Sequence, residues 1–128
     1  MKIFISSIIA GALLLISCGS QTSQSHVGII DVKNLESKLE SKSPIQLIDV
    51  RTPAEVAAGA ISGAINIDYL SGDFEAKISK LDRNKPYVVY CAKGSRSAQA
   101  VEKMVTLGFT NLDDLDGGYN AWIKLKQD

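Results

Sequence analysis

Tyr87-Val88-Val89-Tyr90-Cys91-Ala92-Lys93-Gly94-Ser95-Arg96-Ser97-Ala98 opens with four β-branched or aromatic residues and then turns, at a cysteine, into a small, polar, basic loop. The apolar run predicts a buried strand, and the loop predicts a handover into a helix. A thiol at that junction faces the unpaired N–H groups and positive dipole end of the helix, which stabilise a thiolate and any anion beside it. Gly94 permits φ > 0, so that successive amides can turn inward as a nest, and Lys93 and Arg96 add formal positive charge. Free cysteine is also among the most buried residue types, so inert packing at a strand end is the competing reading, and the chemistry of the loop weighs against it.

Outward from this stretch, strand and helix signals alternate. Gly28 to Val32 is predicted as a first strand and Asn34 as the cap of a helix whose Leu35 and Leu39 face inward. Ile45 to Val50 is a second apolar strand ending at Asp49 and Arg51, and strand ends of parallel sheets border ligand crevices, although semi-buried charges there are often simply paired. Thr52-Pro53-Ala54-Glu55 reads as a helix start, Gly63 to Ile67 as a third strand, and Asp73 to Leu81 as a short helix. After the Cys91 loop, Ala98, Val101 and Val105, with Ala100 and Met104 beside them and the methionine as core filler, predict the inward face of a helix with Gly108 as the residue just past its end. Asn111 to Leu115 is a last strand, Asp116 a helix cap, and Gly117-Gly118 a tight turn or a close approach to the site; Trp122, Ile123 and Leu125 pack the final helix. The alternation predicts an α/β fold, a three-layer sandwich around a central parallel sheet of about five strands.

The chain of 128 residues fits one domain, and its 14 Lys and Arg balance 14 Asp and Glu, so nothing directs it to nucleic acid. Met1-Lys2 and the apolar run to Ile16 read as a secretory signal, too short to span a bilayer comfortably. Leu15-Ile16-Ser17-Cys18 resembles the lipobox of bacterial lipoproteins, which implies cleavage before Cys18 and its acylation. The expected organisation is a signal peptide over 1–17, a flexible polar linker with lipidated Cys18 over 18–26, and a folded domain over 27–128. An uncleaved anchor helix is the alternative, and in both cases the chain is exported and tethered to a bacterial membrane, on its periplasmic or cell-surface face. His26, the sole histidine, is expected as a solvated linker residue, which leaves no material for a Ser/His/Asp triad or a metal site. With Cys18 acylated, Cys91 is the only thiol, so no internal disulfide or dithiol cycle is available.

Cys91-Ala92-Lys93-Gly94-Ser95-Arg96-Ser97 resembles the active-site loop of the rhodanese family, C-x-x-G-x-R-[AS]. Ile48 to Glu55 and Leu115 to Trp122 resemble two further segments of that family, so that the likeness spans about residues 28 to 126. The resemblance implies a sulfurtransferase in which Cys91 becomes a persulfide held by the amides of Ala92 to Ser97, with no cofactor. It further implies an ion pair between Arg51 and Glu55 that braces the loop, with Asp49, Gly117 and Gly118 as structural support. Ala60 departs from the family pattern, which commonly has histidine there. The implied partners are a small anionic sulfur donor and a thiol acceptor, and a monomer is expected. Two alternatives stay open, a non-catalytic sulfur carrier or binding module, and a cysteine-dependent phosphatase or arsenate reductase. The phosphatase loop resembles C-x-x-x-x-x-R, whereas Arg96 follows Cys91 after four residues, a shorter loop that fits sulfur better than a tetrahedral phosphate.

Overall fold

The computed structural model describes residues 25–128. Five parallel strands, β1 (His26–Ile30), β2 (Gln46–Asp49), β3 (Ile65–Asn66), β4 (Tyr87–Tyr90) and β5 (Asn111–Leu115), form one sheet in the order β1-β5-β4-β2-β3. The connecting helices are α1 (Val32–Glu40), α2 (Pro53–Ala57), α3 (Phe74–Ile78), α4 (Ser95–Thr106) and α5 (Gly118–Gln127). The three-layer α/β arrangement expected from the alternation is present.

Strand β4 is central and buried on both faces, which is why it reads as an unbroken apolar run. Its period of two sends Tyr87, Val89 and Cys91 into one core with Ile48, Val50, Phe74, Ile78, Ala100, Val101 and Met104. Val88 and Tyr90 enter the opposite core with Leu35, Leu47, Ile61 and Leu115, against which Trp122 and Leu125 of α5 pack. A fully buried Val or Leu side chain contributes about 1.5–3 kcal/mol, so this strand anchors both layers.

Several boundaries differ from the sequence expectation for identifiable reasons. The first strand runs from His26 to Ile30 instead of Gly28 to Val32, because Asp31 caps α1: its Oδ1 accepts the Asn34 N–H at 2.8 Å, and Asn34 sits inside the first turn. His26, expected in a solvated linker, is the first residue of β1 and its Nε2 lies 2.9 Å from Asp113 Oδ1. Helix α3 and strand β3 are each shorter than expected. In α4 the buried face is Ser97, Ala100, Val101 and Met104, a single i, i+3, i+4, i+7 stripe, while Ala98 and Val105 are exposed. Gly108 does stand just past the end of α4, following the cap residue Leu107, with φ of +92°, Phe109 N–H donating to Met104 O and Gly108 N–H to Val105 O. Helix α5 is capped by Gly117 and not by Asp116, whose own N–H is committed to Ile30 O across the sheet edge.

Candidate functional site

The C-terminal edge of the sheet converges on Cys91. Parallel pairing sets Asp49 opposite Tyr90, and Val50 N–H donates to Tyr90 O at 2.9 Å, so the ends of β2 and β4 lie side by side. The loop from Ala92 to Gly94 then curls back over the sulfur, and α4 begins at Ser95. Gly94 holds φ at +122°, a value that L side chains rarely adopt, and this turn brings its N–H to 3.0 Å from Cys91 Sγ.

Cys91 is 1% exposed, deeper than an exposed loop would put it. Burial pushes its thiol up, but the Ser97 hydroxyl and the amides of Ser97, Gly94 and Lys93 more than offset this, and the net direction is down. Cys91 Sγ lies 3.5 Å from Ser97 Oγ, which donates in turn to Gly94 O at 3.1 Å.

The loop is gripped from behind by α5. Tyr119 N–H donates to Cys91 O at 2.8 Å and Asn120 N–H to Ala92 O at 3.0 Å, which occupies the loop carbonyls and leaves its amides to face the sulfur. Gly118 has φ of +58°, and a Cβ there would sit 2.5 Å from Cys91 O and 2.8 Å from Ala92 O, so close backbone approach as well as turn geometry requires glycine at this position.

The ion pairs are arranged differently from the expected Arg51–Glu55 bridge. Arg51, 3% exposed, instead forks onto Asp49, with Nε 2.9 Å from Oδ1 and Nη2 2.6 Å from Oδ2. Its guanidinium lies 4.1 Å from the Tyr119 ring centroid and donates to Gly59 O at 2.8 Å. Glu55 reaches across to α4 and clamps Arg96 through two bonds of 2.8 and 2.9 Å. This clamp, helped by the Thr52 capping box, lowers the Glu55 carboxyl to about 2, and it holds the Arg96 guanidinium raised. The physical reason is topological: Arg51 points to the α5 side of the sheet, Glu55 to the α4 side.

Of the expected site residues, then, Asp49, Arg51, Glu55, Gly117, Gly118 and the segment Cys91 to Ser97 come together at one sheet edge, with Lys93 and Ser95 exposed on its rim. Ala60 is exposed. Cys18 lies outside the described residues. Sequence reasoning missed Asn66, whose Nδ2 ties Asp49 O and Arg51 O at 2.9 Å each, and the Ser97 hydroxyl as a partner of the sulfur. It also missed Asp114, which shares the sheet face of Leu112, Val89 and Cys91. The signal was available: in Asn-Leu-Asp-Asp-Leu, a strand covered on both faces must send one of its two aspartates inward toward each layer.

The family described as Rhodanese-like domain matches residues 31–125. A protein of Allochromatium vinosum named "Sulfurtransferase" is 32% identical over 98 residues, covering 77% of this chain and 90% of that protein. "Thiosulfate sulfurtransferase GlpE" of Pseudomonas aeruginosa is 38% identical over 78 residues, covering 60% of this chain and 68% of that one. The crystal structure of a rhodanese-related protein from Thermoplasma volcanium superposes with a TM-score of 0.67 at 35% identity, covering 76% of this chain and 91% of that one.

Proposed function

Because the chain belongs to the rhodanese-like family, we propose that it is a sulfurtransferase that carries sulfane sulfur on Cys91. The observation that carries this reading is the buried Sγ held 3.0 Å from the Gly94 N–H, at the N-terminus of a 12-residue helix, with its pKa driven down by hydrogen bonds. The Cys91 thiolate attacks the outer sulfur of thiosulfate or of a persulfide donor. A bond forms between Sγ and that sulfur, the donor's own bond to it breaks, and sulfite or a thiolate departs with the electron pair. A thiol or cyanide acceptor then attacks the terminal sulfur, and the pair returns to Cys91 Sγ. Loop amides face both anions, while the Glu55–Arg96 clamp fixes the first turn of α4 on which the nest is built.

Mass spectrometry after incubation with thiosulfate tests the mechanism, with one added sulfur expected on the Cys91 peptide and its release expected on adding cyanide. Cys91→Ala should abolish both. Unmodified Cys91 alongside full thiocyanate production would overturn the covalent route.

The chain's placement is part of the same proposal. The basic and apolar start, the lipobox resemblance at Cys18 and the polar spacer after it support a lipid-tethered protein facing the periplasm or cell exterior. Acyl labelling in expressing bacteria should be lost in Cys18→Ser; labelling that survives the change rules this tether out.

A further inference from the structure

We propose that Asp114 is a positioning residue of the Cys91 site, coupled to the sulfur through the Ser97 hydroxyl, and that its neutral carboxyl form is the one that supports a Cys91 anion. The inference rests on the reading of Cys91 as a sulfur-carrying thiolate and adds a second acid to it.

The geometry is a row of three groups on the α4 side of the sheet. Register sets Asp114 beside Val89 on β4, and the strand's period of two puts Val89 and Cys91 on the same face. Ser97, wholly buried on the first turn of α4, covers this face with its Oγ 3.5 Å from Cys91 Sγ. Asp114 Oδ1 is buried with no hydrogen-bond partner, and the Ser97 hydroxyl is among the groups that act on the carboxyl. That hydroxyl donates to Gly94 O at 3.1 Å. An unpartnered buried carboxylate oxygen is costly, and the cost is smaller when the group is neutral.

Ser97 has one proton to donate and two lone pairs that accept. A neutral Asp114 donates its own O–H to Ser97 Oγ and leaves the Ser97 proton free to point at a sulfur anion. An ionised Asp114 competes for that same proton and places a second negative charge beside the sulfur, so the two acids cannot both ionise cheaply. No covalent bond changes in this step; only hydrogen-bond donors are redirected. Burial raises the Asp114 pKa, the Ser97 hydroxyl lowers it and Asp116 raises it further, for a net upward direction.

The other groups that face the pair are few. Asp114 meets Asp116 on its own segment and Ser97 from α4, and its register partners are Val89 on β4 and Ile29 on β1. Cys91 meets the amides of Lys93, Gly94 and Ser97, and the Arg96 guanidinium, which Glu55 already clamps and Asp68 also faces. No cation is placed to neutralise Asp114 among the ion pairs of the described residues.

The test is the pH dependence of iodoacetamide alkylation of Cys91, read by peptide-resolved mass spectrometry on the full chain and compared for wild type, Asp114→Asn, Ser97→Ala and the double variant. Asp114→Asn should displace the profile to lower pH, on the order of one unit, with several-fold faster alkylation near neutral pH. In the Ser97→Ala background the same Asn change should lose most of that displacement. Superimposable profiles for wild type and Asp114→Asn, or an undiminished displacement without Ser97, would overturn the proposal. Should Ser97→Ala not fold, Ser97→Gly, which also removes the hydroxyl, takes its place in the same comparison, and the pair of wild type and Asp114→Asn still decides by itself, since superimposable profiles there overturn the coupling. Alkylation needs no sulfur donor, so a chain that forms the persulfide yet shows superimposable profiles sinks this inference alone. A chain with coupled profiles and no persulfide sinks the sulfurtransferase reading alone.

Discussion

Lys93 and Arg96 carry the same formal charge on the same loop, yet the structure gives them different surroundings. Arg96 is held by two bonds to Glu55, so its charge is largely spent on fixing the first turn of α4. Lys93 is exposed on the rim. Lys93 is therefore the cation available to steer an anionic donor, and a solvated charge acts weakly. Lys93→Ala should raise the KM for thiosulfate by an amount equivalent to about 1 kcal/mol or less, with kcat kept, and added salt should reproduce the change in wild type. Steady-state kinetics across ionic strength check this, and a loss confined to kcat would contradict it. Glu55→Gln, by contrast, frees Arg96 and loosens the turn beneath the nest. Its effect should fall on kcat and on the pH at which Cys91 alkylates.

At the scale of elements, α4 matters because its inward stripe decides how its N-terminus is aimed. Ser97 and Ala100 are both wholly buried and small, which lets the helix lie close to β4, and Met104 fills the space at its far end. Met104→Ala should cost about 2–5 kcal/mol by transfer and cavity terms. Val105→Ser, one position along and 44% exposed, should change stability by less than about 0.5 kcal/mol. Urea melts of the two variants separate the observed face from the one read off Ala98, Val101 and Val105, which would make Val105 the costly position. Helix α5 acts on the same loop from the other layer, and the missing side chain of Gly118 allows its backbone to reach Cys91 O.

For the molecule as a whole, two carboxyl groups push acid stability in opposite directions. Glu55 has a folded pKa of about 2 against 4.5 for an unpaired group, so its contribution is present above pH 4.5 and is lost as pH falls toward 2. Asp114 has a folded pKa above its ordinary 3.8, so its contribution is present below pH 3.8 and is lost as pH rises through the folded value. Thermal melts should accordingly show Glu55→Gln less stable than wild type near neutral pH, with the gap closing toward pH 2. Asp114→Asn should be more stable than wild type near neutral pH, with that gap closing below pH 3.8. A Glu55→Gln gap that persists unchanged at the acid end would show the Arg96 pair to be irrelevant to stability.

The alternation of strands and helices, the parallel sheet, the Cys91 loop with its family and the helix start at Thr52-Pro53 were legible in the chain alone, because each is written in neighbouring residues through period, turn chemistry and motif. The inward stripe of α4 was only partly legible, since Val101 belongs to two overlapping helical periods and the neighbouring sheet selects between them. Partner choice was not legible at all. Whether Glu55 meets Arg51 or Arg96 depends on which side of the sheet each side chain leaves from, and 41 positions separate Glu55 from Arg96. In the same way Asp114 and Cys91 are brought onto one face only by the register of β4 against β5, and Gly118 is pressed onto the Cys91 loop only by the packing of α5. Local spacing carries no information about such pairs; strand order, register and the two-sided sheet decide them.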